Sequence, residues 1–271
     1  MPLDPAASTE LVDAMTALCV SAAQAISDWK GQGGVRTKSD GSPVTAADEA
    51  AEAVITDGLA RLGLDIPVIS EEQAARERPA AAGENFILVD PLDGTREFIA
   101  GRDEYTVNIG LVSGGIPMLG VIAAPALGLI WRGIVGHGAE RLDFSAQTFF
   151  APTMSAPQPI RTRPRPPRDP VVITSRSHLD ARTQAYIDGL AGARRLACGS
   201  SIKFCRLAEG SADVYPRLAP THDWDVAAGH AILLAAGGRM VAPDGSPIVY
   251  GSADLIIPAF LAFGDPREIK A

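Results

Sequence analysis

Residues 86–98, with the sequence FILVDPLDGTREF, contain acidic side chains whose spacing could support chemistry. Four apolar, β-favouring residues run directly into Asp90, which predicts a buried strand that ends in a carboxylate. Pro91 prevents further ladder pairing and Gly94 permits a sharp turn, so Asp93 is expected to fold back towards Asp90. Two carboxylates at one point repel each other unless a proton or a divalent cation lies between them, and Mg²⁺ prefers such oxygen ligands.

The amides that follow this turn could bind an anion. The free N–H groups of Gly94 and Thr95 would begin a short helix, where unpaired donors and the helix dipole favour a phosphate. A cation on one side and a phosphate on the other indicate phosphate ester chemistry. The alternative is a turn in which Asp90 and Asp93 only cap the helix, so other parts of the chain have to decide.

Further charged candidates precede this stretch. Glu71 follows a short strand predicted at residues 66–69, and neighbouring strand ends can deliver their side chains to one cleft. Asp48 lies three residues after Thr45, a spacing that is typical of a helix cap and is equally compatible with a role near the cation. Lys38 lies in a polar loop, where it is a candidate contact to a phosphorylated substrate or a solvated surface lysine.

The second half of the chain supplies a different set of polar side chains. A hydroxyl and an imidazole follow a strand predicted at residues 171–174, and a hydroxyl and an ammonium lie at the start of a helix predicted at 202–209. Ligands of α/β units gather at such positions, so together these groups predict a second anion site, although each alone could be a cap or a satisfied polar residue. The four residues are Ser175, His178, Ser200 and Lys203.

The last acidic candidate is Asp225, in the segment 223–230, DWDVAAGH. It begins a helix whose small residues allow close packing, and Trp224 can anchor that helix beneath the cleft. A simple helix cap is the alternative for Asp225. His230 lies in the apolar body of the same helix, which favours a satisfied core histidine over a metal ligand.

The elements that must position these residues fall into two groups. In the first half, two predicted amphipathic helices, the first at 8–30, pack against an antiparallel sheet built from hairpins at 105–123 and 129–144. In the second half, strands and helices alternate, which is typical of a wound α/β unit. The predicted fold is therefore an α/β (α+β) layered sandwich with the site between its two halves.

A proline-rich segment predicts the boundary between the halves. Seven prolines lie between positions 151 and 170, interleaved with four arginines, and such a sequence resists both helix and strand pairing. We predict an N-terminal α+β domain over residues 1–152, a stiff linker over 153–170 and a C-terminal α/β domain over 171–271. The alternative for this basic segment is a peptide that binds a partner.

Composition argues against several classes of protein. The 271 residues are 46% apolar and 21% charged, which is typical of a soluble globular protein with a large core. A net charge of −8 argues against binding to nucleic acid polymers. The three cysteines lack paired spacing, and neither a signal peptide nor a membrane-spanning segment is predicted, so we expect a cytoplasmic protein.

Three motifs in this order resemble the inositol monophosphatase family of Mg²⁺-dependent, lithium-sensitive phosphatases. They are Glu71 after a strand, residues 90–95 (DPLDGT) and residues 224–229 (WDVAAG). The two longer motifs lie about 130 residues apart and agree with each other, which argues against coincidence. The resemblance covers nearly the whole chain and implies the fold of that family.

The resemblance also implies a metal site and roles around it. It implies two Mg²⁺ ions, and up to three when substrate is bound. The implied ligands are Glu71, Asp90, the carbonyl of Leu92, Asp93 and Asp225. Thr95, oriented by Asp48, is implied to work with Glu71 to activate a water molecule, and the amides of Gly94 and Thr95 are implied to hold the phosphate.

Finer features resemble one branch of the family, the 3′(2′),5′-bisphosphate nucleotidases of sulfate assimilation. They lie at residues 95–98 (TREF), 174–178 (TSRSH) and 199–203 (GSSIK). The resemblance implies that the nucleotide portion is held by Ser175, His178, Ser200 and Lys203. Arg217 lies where inositol-specific members carry an acid, and a cation there suits a second phosphate better than a polyol. Lys38 and Asp225 are further candidate substrate contacts.

The expected reaction is therefore hydrolysis of 3′-phosphoadenosine 5′-phosphate to AMP and phosphate. Enzymes of the same fold that act on inositol phosphates, histidinol phosphate or fructose bisphosphate remain the alternatives. A phosphate-binding regulator without turnover is disfavoured because every implied metal ligand and Thr95 are present. The resemblance allows a monomer or a homodimer, and it leaves open a peripheral association with the inner membrane.

Overall fold

The computed structural model describes residues 5–38, 41–77, 83–145, 153–166, 168–177 and 179–267. The helices are α1 (Pro5–Asp28), α2 (Ala46–Arg61), α3 (Glu71–Arg76), α4 (Thr95–Ile99), a 3₁₀ turn at Pro125–Leu127, α5 (Ala181–Asp188), α6 (Ile202–Ala208) and α7 (Asp223–Ala235). The strands of the first half are β1 (Arg36–Thr37), β2 (Pro43–Val44), β3 (Val68–Ser70), β4 (Asn85–Asp93), β5 (Thr106–Ser113), β6 (Ile116–Ala124), β7 (Leu129–Ile134), β8 (Gly138–Asp143) and β9 (Gln158–Ile160). The strands of the second half are β10 (Val171–Ser175), β11 (Arg194–Cys198), β12 (Val214–Arg217), β13 (Thr221–His222), β14 (Arg239–Val241), β15 (Ile256–Ile257) and β16 (Phe260–Phe263).

Seven strands of the described chain form the larger sheet, in the order β3-β4-β5-β6-β7-β8-β9. The strands from β4 to β9 pair in antiparallel fashion, as predicted. The expectation of a purely antiparallel sheet is wrong at one edge, because β3 pairs with β4 in parallel. Helix α3 lies between these two strands in the sequence, and a crossover of that length permits the parallel pairing that a tight hairpin excludes.

Helices α1 and α2 cover one face of the larger sheet, and α7 covers the other. Strand β4 shows how both faces of the larger sheet come to be apolar. Successive side chains of a strand point to opposite faces, and those of β4 are apolar in both directions. Ile87 and Val89 pack with α1 and α2, whereas Phe86 and Leu88 join the cluster that contains α6 and α7. The strand is buried on both sides, so the carboxylate near its end is held by a rigid support.

The second sheet has the strand order β11-β10-β12-β16-β14. Helices α6 and α7 lie between the two sheets, and α5 packs on the outer face of the second one. The close approach of α7 to the larger sheet requires glycine at position 120, where a Cβ would lie 2.2 Å from the carbonyl oxygen of Ala228. The layers therefore form the α/β sandwich that the sequence predicts. None of the helices in the described ranges combines the length and the apolar character needed to cross a membrane.

The proline-rich segment is more closely joined to the fold than a linker would be. Gln158–Ile160 forms β9 and pairs with β8, so the expectation that this segment resists strand pairing is wrong. An edge strand tolerates proline because one of its sides makes no ladder bonds. Arg163 then makes hydrogen bonds of 2.8 and 3.0 Å to the buried Asp213 carboxylate, which ties the segment to the second half. The division of the chain into two domains stays a prediction.

His230 is buried in α7, and its Nδ1 lies 3.0 Å from the hydroxyl of Tyr250, which confirms the prediction of a core histidine. Burial lowers the pKa of His230 from 6.5 to about 3. The unfolded chain therefore binds a proton at this position more readily than the folded protein does. The contribution of the neutral histidine to stability is complete above pH 6.5 and decreases as the pH falls towards 3.

We expect the His230→Gln variant to lose less stability in mild acid than the wild type. Between pH 7 and pH 5, the wild type should lose about 2 kcal/mol of unfolding free energy through this histidine. Glutamine does not titrate in this range and can still bond to the Tyr250 hydroxyl. Urea unfolding of both proteins at the two pH values measures the difference. An equal pH dependence of the two unfolding free energies would contradict the buried neutral state of His230.

Candidate active site

A cavity of about 330 Å³ lies where the two halves of the chain meet. The first half contributes the end of β4, the start of α4 and Glu71. The second half contributes the ends of β10 and β12, the start of α7, and residues 199–201, 203 and 204. Of the predicted site residues that the structure describes, all line this cavity except Lys38 and Asp48.

The strand register explains how Glu71 comes close to Asp90. Strands β3 and β4 pair in parallel with Ser70 opposite Val89, so the next residue of each strand leaves the same end of the pair. Asp225 approaches from the other half, as the third residue of α7. One carboxylate oxygen from each of Glu71, Asp90 and Asp225 lies within 4.8 Å of the other two.

These three carboxylates disfavour one another's charged forms. Burial and the charge of Asp225 raise the pKa of Glu71 to about 8, although Lys38 opposes the shift. Burial, followed by the neighbouring carboxylates, raises the pKa of Asp90 well above its usual value. Burial and the charge of Asp93 raise the pKa of Asp225. Such a cluster needs protons or a cation to balance it, and its oxygen donors fit a hard divalent ion such as Mg²⁺.

Lys38 supplies part of the positive charge that this cluster needs. Its Nζ lies 2.6 Å from Oε1 of Glu71 and 2.6 Å from Oε1 of Glu72. The Lys38 side chain is only 7% exposed, so the alternative of a solvated surface lysine is wrong. Burial alone would lower the pKa of Lys38, but the two carboxylates outweigh burial and raise it. Its contact with substrate stays a prediction.

Asp93 lies beside the close group of three carboxylates and does not belong to it. The pairing of β4 with β5 shifts register between Asp90 and Asp93 and resumes at Asp93, opposite Thr106, so the expectation that Pro91 ends the ladder is wrong and the proline produces an irregularity instead. The Oδ2 atom of Asp93 accepts hydrogen bonds of 2.9 Å from the hydroxyls of Ser200 and Ser201. The role of Asp93 as a metal ligand stays a prediction.

Gly94 allows the sharp turn between β4 and α4. Its φ of 95° lies in the left-handed region, and a Cβ at this position would lie 3.1 Å from the carbonyl oxygen of Glu104. Glycine therefore meets both a conformational and a spatial requirement here. The turn brings the carbonyl oxygen of Leu92, another predicted ligand, 3.2 Å from the hydroxyl of Thr95.

Asp48 caps α2, which was one of the two alternatives, and it also contacts Thr95, whereas its role near the cation stays a prediction. Its Oδ2 accepts the backbone N–H of Thr45 at 2.8 Å and the hydroxyl of Thr45 at 2.6 Å, which completes the capping box of α2. Its Oδ1 accepts a hydrogen bond of 2.9 Å from the hydroxyl of Thr95. A carboxylate has two oxygens, so capping the helix and orienting Thr95 do not compete.

Asp225 also combines a cap with a place in the cavity. Its Oδ2 accepts the hydroxyl of Thr221 at 2.5 Å and the backbone N–H of His222 at 3.2 Å. Its backbone carbonyl oxygen lies 2.9 Å from the hydroxyl oxygen of Ser201. These bonds fix the start of α7 and hold the Asp225 carboxylate towards the first half of the chain.

Lys203 brings a buried ammonium to the wall of the cavity. Its Nζ donates a hydrogen bond of 2.5 Å to the carbonyl oxygen of Ser200 and lies 5.6 Å from the centre of the Tyr215 ring. Ser175, at the end of β10, lines the same cavity. His178, the remaining predicted nucleotide contact, lies outside the described residues.

Arg217 adds a second cation to this part of the cavity. Its Nη2 donates a hydrogen bond of 3.2 Å to the carbonyl oxygen of Pro220. Its buried Nε has no hydrogen-bond partner within the described ranges of the chain. A buried donor without a partner is costly, and an anionic oxygen bound in the cavity would satisfy it.

Three polar residues contribute to this site although the sequence did not identify them. Ser201 contacts both Asp93 and Asp225, and its position next to Ser200 in the Gly-Ser-Ser loop was a signal for it. Glu72 pairs with Lys38, and its position beside Glu71 was a comparable signal. Glu104, in the first half of the chain, contacts this loop at the N–H of Gly199, and nothing in the sequence around Glu104 indicates the contact.

The chain is similar in sequence to known proteins along most of its length. The sequence model of the inositol monophosphatase family matches residues 6–270. The 3′(2′),5′-bisphosphate nucleotidase CysQ of Escherichia coli (strain K12) is 42% identical over 217 residues, which cover 80% of this chain and 82% of that protein. The homologue of the same name from Haemophilus influenzae is 30% identical over 237 residues, covering 85% of this chain and 84% of that protein.

Solved structures show the same architecture. The crystal structure of CysQ from Bacteroides thetaiotaomicron, described as a bacterial member of the inositol monophosphatase family, matches with a TM-score of 0.80 and 32% identity. The match covers 96% of this chain and 98% of that one. The Thermotoga maritima IMPase shares the fold, with a TM-score of 0.76 and 22% identity. The match covers 95% of this chain and 93% of that one.

Proposed function

The chain belongs to the inositol monophosphatase family, and from this premise we propose that it is a Mg²⁺-dependent 3′(2′),5′-bisphosphate nucleotidase. The expected reaction converts 3′-phosphoadenosine 5′-phosphate to AMP and phosphate. The names of the relatives that are at least 30% identical support this substrate. The observation that carries the proposal is a single cavity that combines the clustered acids Glu71, Asp90 and Asp225 with the cations Lys203 and Arg217.

The acidic part of the cavity would hold the metal. Glu71, Asp90 and Asp225 would be ligands, together with Asp93 and the carbonyl of Leu92, for two ions and up to three with substrate. Bound Mg²⁺ would neutralise phosphoryl charge and lower the pKa of a coordinated water. The raised pKa values of the three clustered carboxylates support this assignment, because a cation would restore their charged forms.

Thr95 and Asp48 would orient the attacking water. The Thr95 hydroxyl has one proton, and donating it to Oδ1 of Asp48 leaves the lone pairs of the hydroxyl to accept a proton of the water. Asp48 cannot turn away, because its other oxygen caps α2. Glu71, on the same cavity wall, would accept the proton that the water releases. The amides of Gly94 and Thr95 would hold the phosphate.

The basic part of the cavity would recognise the second phosphate. The unpartnered Nε of Arg217 and the buried ammonium of Lys203 are both suited to a phosphate oxygen. A polyol would offer the unpartnered Nε of Arg217 no phosphate oxygen, which would cost binding energy. This contrast favours a bisphosphate nucleotide over inositol 1-phosphate.

We expect the Arg217→Met variant to lose preference for the second phosphate. Methionine keeps the volume and removes the charge, so KM for 3′-phosphoadenosine 5′-phosphate should rise roughly 10- to 100-fold, the effect of one hydrogen bond to a charged group. KM for adenosine 3′-monophosphate, which lacks that phosphate, should change less than about threefold. Arg182→Met, at an exposed arginine of α5, is the matched control and should leave both values unchanged. Equal increases in KM for the two substrates would contradict the assignment of Arg217 to the second phosphate.

A phosphate-release panel tests the proposed function. The substrates are 3′-phosphoadenosine 5′-phosphate, inositol 1-phosphate, histidinol phosphate and fructose bisphosphate, each with Mg²⁺, with a chelator and with added Li⁺. We expect the highest kcat/KM for the nucleotide, no turnover with the chelator and inhibition by Li⁺. Faster release of phosphate from inositol 1-phosphate than from the nucleotide would overturn the choice of substrate. Oligomeric state and any membrane association stay predictions.

A further inference from the structure

An ion pair joins the two halves of the chain beside the cavity. Glu104 lies between α4 and β5 and accepts two hydrogen bonds from the guanidinium of Arg176, Nε to Oε2 at 2.6 Å and Nη2 to Oε1 at 2.7 Å. The Nη2 atom also donates to the carbonyl oxygen of Ala197 at 3.1 Å, so the pair is tied to the end of β11. A bidentate pair of this kind restricts both side chains to one geometry. Neither Glu104 nor Arg176 lines the cavity.

The same carboxylate holds the backbone of the loop that follows β11. The Oε2 atom of Glu104 accepts the N–H of Gly199 at 2.9 Å. A Cβ on Gly199 would lie 2.8 Å from the backbone oxygen of Glu104 and 2.9 Å from its Cβ. The loop therefore rests directly on Glu104, and glycine is required for this contact.

The next residue of the loop has a conformation that needs external support. Ser200 has a φ of 52°, in the left-handed region that is strained for a residue other than glycine. Lys203 Nζ holds the carbonyl of Ser200, and the hydroxyl of Thr106 contacts the Ser200 hydroxyl. With the Gly199 amide held by Glu104, the loop is fixed on both sides of the strained residue.

This loop determines how Asp93 faces the cavity. The hydroxyls of Ser200 and Ser201 both contact Oδ2 of Asp93 at 2.9 Å. Two contacts to one oxygen fix the plane of the carboxylate and direct the other oxygen. Asn108 donates a hydrogen bond of 3.0 Å to the Ser201 hydroxyl and orients it further.

We propose that Glu104, held by Arg176, is a positioning residue that sets the affinity of this site for divalent cations through the loop at residues 199–201 and Asp93. The inference rests on the proposed function in one respect, because it takes Asp93 as a ligand of the cation. Glu104 acts without touching substrate or metal, in the manner of the outer residues that orient metal ligands.

Titration calorimetry of the metal-free protein with Mg²⁺ tests this inference without relying on turnover. We expect Glu104→Ala to raise the Mg²⁺ Kd roughly 10- to 100-fold, the usual effect of losing a residue that orients a ligand. Arg176→Ala should raise Kd as well. In the double variant, Kd should rise by less than the two single effects combined, because both residues serve one contact. Glu104→Gln should raise Kd less, because its amide oxygen can still accept the Gly199 N–H.

The matched control is Arg195→Ala, which removes the exposed ion pair between β11 and Asp188 without touching the loop. Its Mg²⁺ Kd should equal that of the wild type. A Glu104→Ala variant with a lowered Tm and an unchanged Kd would show a merely structural role and overturn the inference. If Glu104→Ala does not fold, an unchanged Kd in Arg176→Ala would overturn it equally.

The test separates this inference from the proposed function. A wild type that binds Mg²⁺ and does not release phosphate from the nucleotide would contradict the function alone, and the calorimetric comparison of variants would still decide the role of Glu104. A wild type that hydrolyses the nucleotide, beside a Glu104→Ala variant with unchanged Kd and kcat, would contradict the positioning role alone.

Discussion

The Asp90→Asn variant is expected to release phosphate at least roughly 10³-fold more slowly than the wild type at a Mg²⁺ concentration that saturates the wild type. Removing one carboxylate from the cation site forfeits several kcal/mol of transition-state stabilisation, and each 1.4 kcal/mol is a factor of ten. Asparagine keeps the volume, and its Oδ1 can still accept the N–H of Leu92, now bonded to Asp90 at 3.0 Å. The loss should therefore reflect chemistry and cation binding, as measured by kcat/KM and by Mg²⁺ titration.

The same variant should be more stable than the wild type when no metal is present. Burial and the neighbouring carboxylates raise the pKa of Asp90, so the charged group costs stability as the pH rises from the unfolded pKa of 3.8 towards the folded one. Asparagine removes this cost, and a higher Tm in chelator should result. Added Mg²⁺ should raise the Tm of the wild type, by ligand linkage, and leave that of the variant unchanged.

The control for this prediction is Asp103→Asn, the same substitution at an exposed aspartate near α4. Its activity, its Mg²⁺ response and its Tm should match those of the wild type. An Asp90→Asn variant that keeps more than a tenth of the wild-type kcat/KM at equal Mg²⁺ would contradict the assignment of Asp90 to the cation.

The second large effect is expected from Thr95→Val. Valine has the shape of threonine and lacks the hydroxyl that bonds to Asp48, so nothing would orient the water. The expected loss in kcat is roughly 10²- to 10³-fold, within the range of general acid–base catalysis. Single-turnover phosphate release measures this loss, and calorimetry should find a Mg²⁺ Kd within about threefold of the wild type because no carboxylate has been removed.

Thr95→Ser is the conservative variant for this position. Serine keeps the hydroxyl and should restore most of the activity, within about tenfold of the wild type. If Thr95→Ser were as inactive as Thr95→Val, the packing of the methyl group would be the cause, and the role of the hydroxyl would be contradicted.

Much of the fold could be predicted because its strands and helices carry strong local patterns. The strand before Asp90 and the hairpin strands after it are apolar, β-branched and separated by glycine turns, so their positions follow from the sequence. Strands β14 and β16 were not predicted. They are short, and β16 is defined by its pairing with β12 and β14 rather than by its own pattern.

The site was predictable where a side chain lies beside a strand end or a helix start, and less so where contacts cross the chain. Glu71 follows β3, Asp90 lies near the end of β4 and Asp225 lies near the start of α7, and the structure brings them together. The two roles of Asp48 were not separable by sequence, because spacing does not show that each carboxylate oxygen has its own partner. The burial of Lys38 and the contact of Glu104 with Gly199 depend on tertiary packing, which no local pattern reports.

Crystals grown with Mn²⁺ and measured at the manganese absorption edge test the cation site most directly, because Mn²⁺ accepts the same oxygen ligands as Mg²⁺ and scatters anomalously. We predict an anomalous peak within roughly 2.5 Å of carboxylate oxygens of Glu71, Asp90 and Asp225, and its loss from crystals of Asp90→Asn grown in the same way. Crystals without a peak between these three carboxylates, at a Mn²⁺ concentration that supports turnover, would contradict a metal site shared by the two halves of the chain.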